Sequence, residues 1–126
     1  MSEIGRPPDP EATSGLSTGA LISNMVVRVL RAYTGRGPTK AWTSIDTDLI
    51  VVVLHDTLTK GERSLVADGR ALLVRDMRKA YQDTMGPELT AGIQKLTGRE
   101  VMAFLSDNHI DPDIAVETFV LHPAPS

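Results

Sequence analysis

Tyr33-Thr34-Gly35-Arg36-Gly37-Pro38 and Leu96-Thr97-Gly98-Arg99 carry the same signal twice. Each Thr-Gly-Arg closes a segment with helical apolar spacing. Each is followed by a strand-like run, a polar turn and a second strand-like run. After Gly35 these are residues 41–45, the turn Asp46-Thr47-Asp48, and residues 49–54. After Gly98 they are residues 101–105, the polar segment 107–113, and residues 114–121. Glycine just past a helix takes the left-handed conformation without steric cost, so both glycines read as helix stops. The order predicts an α+β fold: a two-layer sandwich with a duplicated helix–strand–strand unit and a four-stranded, mainly antiparallel sheet. It is a circular permutation of the ferredoxin-like arrangement.

The first helix is expected from about residues 14–17, where Ser and Thr can cap it. Leu21, Ile22, Met25, Val26, Val29, Leu30 and Tyr33 form its apolar face. Thr59-Lys60-Gly61-Glu62 matches a capping box, which starts a short second helix to about Ala67. Asp68-Gly69 breaks it. A long helix then runs from Arg70, with Leu73, Met77, Ala80, Tyr81 and Thr84 expected inward and Pro87 kinking or restarting it. Leu89, Ile93 and Leu96 carry the apolar face on to Gly98. Arg70, Arg75, Arg78 and Lys79 alternate with Asp68, Asp76 and Asp83, as on a solvated helix face.

Leu49-Ile50-Val51-Val52-Val53-Leu54 is apolar at every position. A strand with one solvated face would alternate. Two helices cover only one face of a four-stranded sheet, so a second copy of the chain is the simplest cover for the other. A homodimer is therefore expected, with Trp42, Val51, Val53 and Phe119 at its interface. Trp42 is the only tryptophan, and its N–H needs an acceptor wherever it packs. Glu117, among apolar neighbours, is expected near an edge or interface.

The 126 residues suit one domain, at residues 15–121, with a disordered Pro-rich lead-in at 1–14 and a tail at 122–126. The formal net charge of -3 offers no basic field for nucleic acid. Cysteine is absent, which excludes disulfides and thiolate chemistry. No apolar run reaches membrane-spanning length, and the N-terminus lacks a signal-peptide core. The chain is therefore expected in the cytoplasm, without inserting in lipid.

Ser106-Asp107-Asn108-His109-Ile110-Asp111-Pro112-Asp113 is the richest polar cluster. Asp107, His109 and Asp111 are the candidate metal ligands, with Asp113 beside them. The segment lacks the glycine and terminal glutamate of a calcium loop, and Asp, Asn and Pro are equally what a hairpin loop requires. His55-Asp56 and His109 occupy comparable places in the two halves. Brought together, they would form a proton-handling or ligand site. No nucleophile with a supporting base stands out, so no catalytic residue is assigned and no cofactor is expected. Gly35-Arg36-Gly37-Pro38 follows a helix rather than opening one, which makes a cap and turn the expected role, with Arg36 a further candidate contact. Glu62 is another.

Taken in order, Tyr-Thr-Gly-Arg-Gly-Pro (33–38), Leu-Ile-Val-Val-Val-Leu (49–54), Leu-Thr-Lys-Gly-Glu (58–62), Leu-Thr-Gly-Arg (96–99), Ser-Asp-Asn-His-Ile-Asp-Pro-Asp (106–113) and Phe-Val-Leu (119–121) resemble a bacterial family. It is named for the MpsC subunit of a sodium-translocating, membrane-potential-generating system. The resemblance covers residues 15–121. It implies a non-catalytic accessory or regulatory protein, peripheral to a membrane cation or inorganic-carbon transport complex and partnered with its integral-membrane subunits. The alternative is a small-ligand or divalent-metal sensor, or a small enzyme, built on the loops around His55 and His109.

Overall fold

The computed structural model describes residues 16–124, so the lead-in expected at 1–14 lies outside the described residues. Among them the chain forms α1 (Thr18–Thr34), β1 (Lys40–Asp46), β2 (Leu49–His55), α2 (Lys60–Ala67), α3 (Ala71–Thr97), β3 (Val101–His109) and β4 (Ile114–Leu121). The architecture is α+β, with the helices on one face of a four-stranded antiparallel sheet.

Local chemistry sets the boundaries. Ser17 caps α1, accepting the Ala20 N–H at 3.1 Å. Thr59 and Glu62 close the capping box of α2 with bonds of 2.8 and 3.1 Å. Gly35 and Gly98 end α1 and α3 at φ 76° and 70°, each donating its N–H to the carbonyl four residues back at 2.8 Å. The threonines before them bond back to Leu30 O and Ile93 O, so the repeated triplet is one cap built twice. α3 continues through Pro87 without a break.

The sheet order is β1-β2-β4-β3, with every neighbouring pair antiparallel. The second strand of each half lies at the centre and the first at an edge. That order is what a two-fold axis between β2 and β4 produces from two helix–strand–strand units. The equivalent arginines do similar work in each half. Arg36 Nε donates to the carbonyl of Asp56, the residue just after β2. Arg99 donates to the carbonyl of His122, just after β4, and to Thr47 O and Asp48 Oδ1 in the β1–β2 turn. His122 also donates its N–H to Glu100 O at 3.0 Å, so the expected tail begins with a tethered residue.

The core lies between sheet and helices. Ile22, Val26, Val29 and Leu30 of α1 and Met85, Leu89 and Ile93 of α3 pack on Ile50, Val52, Leu54, Ala115, Phe119 and Leu121. Phe104 and Phe119 stack with ring centroids 5.2 Å apart. A side chain at Gly92 would collide with Met25, and one at Gly86 would press the Phe104 ring at 3.2 Å. These two glycines allow α3 to approach α1 and β3 closely.

Two expectations change. The inward face of α3 is Val74, Arg78, Gln82, Met85, Leu89 and Ile93, whereas Leu73 and Tyr81 are exposed. The polar segment after Leu105 is not a loop, because β3 extends to His109 and only residues 110–113 turn, around a cis Asp111–Pro112 bond.

Candidate functional site

Alternation along the strands sends one set of side chains to the helices and the other to the uncovered face. Cross-strand partners place the uncovered set in rows. One row reads Trp42–Val53–Val116–Asp107 and the next Ser44–Val51–Thr118–Leu105. Beyond the first lies Lys40–His55–Ile114–His109, and beyond the second Asp46–Leu49–Val120–Ala103. The two central strands expose only Leu, Val, Ile, Thr and His here. Leu49 and Leu105 are 40% and 55% accessible. The expected interface residues Trp42, Val51 and Val53 all lie on this face. Phe119 does not: it points to the helices and is fully buried against Phe104, because its parity along β4 is that of Ala115 and Leu121.

At the β3 edge of the sheet, where the end of β3 meets the start of α3, residues of the uncovered face and of α3 together line a depression of about 510 Å³. Leu72, Ile110, Ile114 and Val116 supply apolar walls, and Arg75, Asp107, His109 and Asp111 supply polar ones. This brings three of the expected ligand residues to one place. Their geometry is not that of a metal site. Asp107 Oδ1 accepts the Asn108 N–H at 2.8 Å, and His109 Nδ1 lies 2.8 Å from Pro112 O. Among the described residues no cluster of three His, Asp or Glu side chains is disposed to hold a metal. His55 and His109 share a row but stand two strands apart, roughly 10 Å, with Ile114 between them.

The other predicted residues serve a buried polar chain. Asp113 accepts the N–H groups of Thr57 and Leu58 at 3.1 and 2.9 Å, fixing the loop after β2 to the start of β4. Glu62 is 4% accessible and pairs with Arg78 at 3.2 Å. Arg78, expected on a solvated face, is 3% accessible. Its guanidinium also donates to Thr57 Oγ1 at 2.7 Å and to Asn108 Oδ1 at 3.3 Å. Asn108 then donates to Gln82 Oε1, and Gln82 donates to Glu117 Oε2 at 3.0 Å. The guanidinium can only donate, so it fixes the orientation of both amides in turn.

Glu117 is therefore neither at an edge nor at an interface. It is 2% accessible, on a central strand beneath α3. Burial pushes its carboxyl up from 4.5 to about 7, against the pull of the Gln82 hydrogen bond and the charges of Arg78 and Lys79. Its Oε1 and the Ser106 Oγ directly across the strand pair are both buried without a partner among the described residues. The apolar spacing Met85–Leu89–Ile93, carried back by helical steps to Gln82, Arg78 and Val74, is the signal that locates this chain on α3.

No helix among the described residues is long and apolar enough to cross a membrane. The chain is similar to the Uncharacterized protein YrhF of Bacillus subtilis (strain 168), with 27% identity over 100 residues, covering 77% of this chain and 82% of that protein. No solved structure matches it. The family described as Na+-translocating membrane potential-generating system (MpsC) matches residues 17–123, and the chain belongs to that family.

Proposed function

We propose that this chain acts by binding rather than by catalysis, as a homodimeric accessory component of the Na+-translocating membrane potential-generating system that its family is named for. The observation that carries this reading is the sheet. One face is sealed by α1 and α3, and the other presents Val51, Val53, Val116 and Val120 at its centre. Four strands about 4.8 Å apart and seven to nine residues long make a surface roughly 20 by 25 Å. A second copy seated on it excludes water from valine and leucine side chains on both chains. In this reading the helical side and the loops remain free to dock on membrane-embedded subunits, which carry out the translocation. The chain then sits peripherally on the cytoplasmic side.

The experiment is affinity capture of the tagged full chain from gently solubilised native membranes, with light scattering on the purified protein. Recovery of integral-membrane transport subunits, and a dimer at micromolar concentration, are the expected results. Capture that enriches no integral-membrane protein over an untagged control sinks the accessory role. A monomer sinks the dimer.

A further inference from the structure

We infer that two copies pair face to face about an axis parallel to the strands, each placing Trp42 in the depression of the other. This rests on the dimeric reading above and specifies its geometry and its anchor. Trp42 and Asp107 occupy opposite ends of one row on the uncovered face. They stand three strands apart, roughly 14 Å, so Trp42 cannot reach the depression of its own chain. A two-fold axis along the strands exchanges the two edges of the sheet and keeps each row at its own height. Trp42 then faces the partner's Asp107, Val53 faces the partner's Val116, and Val51 faces the partner's Thr118. Sheets packed in this aligned way stand about 10 Å apart, a gap that an indole crosses.

The depression suits that indole. Leu72, Ile114 and Val116 give it apolar walls, Asp107 supplies an acceptor for the indole N–H, and Arg75 supplies a cation for the ring. Leu72 is 72% accessible in the single chain, unusual for a leucine beside an apolar hollow. Charge agrees with the pairing. Lys40, two residues from Trp42 on the same strand face, arrives at the partner's end that carries Asp107 and Asp111. The alternative axis, across the strands, sets each Asp107 carboxylate on the partner's Leu105, desolvating two charges against apolar side chains.

The test uses the full chain and two variants, Trp42→Ala and Leu72→Arg, with far-UV circular dichroism to confirm that both fold. Leu72 is largely exposed in the monomer, so L72R acts on pairing rather than on the fold. Each variant alone is expected to weaken homodimerisation roughly 30-fold or more in sedimentation equilibrium, as loss of a buried aromatic anchor does at both ends of a symmetric interface. Mixed together, the variants are expected to form heterodimer above its statistical share. Only the mixed pair keeps one intact contact, the tryptophan of the L72R chain in the hollow of the W42A chain. Wild-type fluorescence, which reports Trp42 alone, should shift to the red on dilution through the dimer dissociation constant. If the wild type dimerises and the variants do so equally well, or mix only statistically, this pairing is overturned while the dimeric reading stands. A monomeric wild type overturns both.

Discussion

Burial of Glu117 favours its protonated form, because one amide hydrogen bond does not replace the hydration of a carboxylate. Its folded value of about 7 lies above the unfolded 4.5, so the folded chain holds the extra proton between them. The stability linked to that proton is fully present below 4.5 and is lost as pH rises through about 7. The displacement corresponds to roughly 3 kcal/mol. Glu117→Gln keeps the shape, accepts from Gln82 and can donate to Ser106. It is expected to be more stable than wild type at pH 8 by about 1–3 kcal/mol and close to it at pH 4.5, as read from urea midpoints. A variant less stable than wild type at pH 8 contradicts this. The alternation along β4 was legible in the sequence and set Glu117 on the face opposite Val116, Thr118 and Val120. What covered that face was not, because no local pattern says whether a strand is central or at an edge. The glycines at 35 and 98 were fully legible, since a left-handed cap depends only on its own helix end.

Arg78 joins three elements: the capped start of α2 through Glu62, the loop after β2 through Thr57, and β3 through Asn108. A buried guanidinium of this kind holds α2 on α3 more than apolar contact does, since Glu62 is the only buried residue of α2. Arg78→Met is expected to destabilise the chain by about 3–5 kcal/mol, chiefly by stranding the Glu62 carboxylate. Arg78→Met with Glu62→Gln should cost less than Arg78→Met alone, because the amide keeps the acceptor for the Thr59 N–H and removes the stranded charge. Urea unfolding of the three proteins checks this, and a double variant no better than the single one refutes it. Sequence periodicity turned the first half of α3 by about one residue because inward positions were taken to be apolar. The partners that make Arg78 and Gln82 tolerable inside lie at 57, 62, 108 and 117, outside any window along the helix. The later stripe of Leu89, Ile93 and Leu96 is apolar at each position and was placed correctly. Asp107 and His109 were read as loop ligands for a related reason. Their residue types favour turns, yet pairing with Val116 and Ile114 draws them into β3.

The duplicated helix–strand–strand order was legible because it needs only caps and runs. The strand order was not, since it depends on which strands meet at the centre. Once β2 and β4 meet there, the one-sided helical layer leaves Val51, Val53, Val116 and Val120 facing away from the core. The all-apolar run 49–54 carried that information: half of it fills the core, and the other half has no cover among the described residues. If a second copy supplies the cover, unfolding releases two chains and the melting temperature must depend on concentration. A hundredfold increase in protein is then worth about 2.7 kcal/mol per dimer, or about 1.4 kcal/mol per chain. For a domain of this size that raises the melting temperature by roughly 5 °C. Val51→Lys puts a charge at the centre of the uncovered face without touching the core, where β2 contributes Ile50, Val52 and Leu54. It should melt at one temperature whatever the concentration, and match the wild type at its most dilute. Circular dichroism melts from 1 to 100 µM, on the order of the range where such an interface forms, separate the outcomes. A wild-type melting temperature that does not move with concentration removes the second copy from the uncovered face.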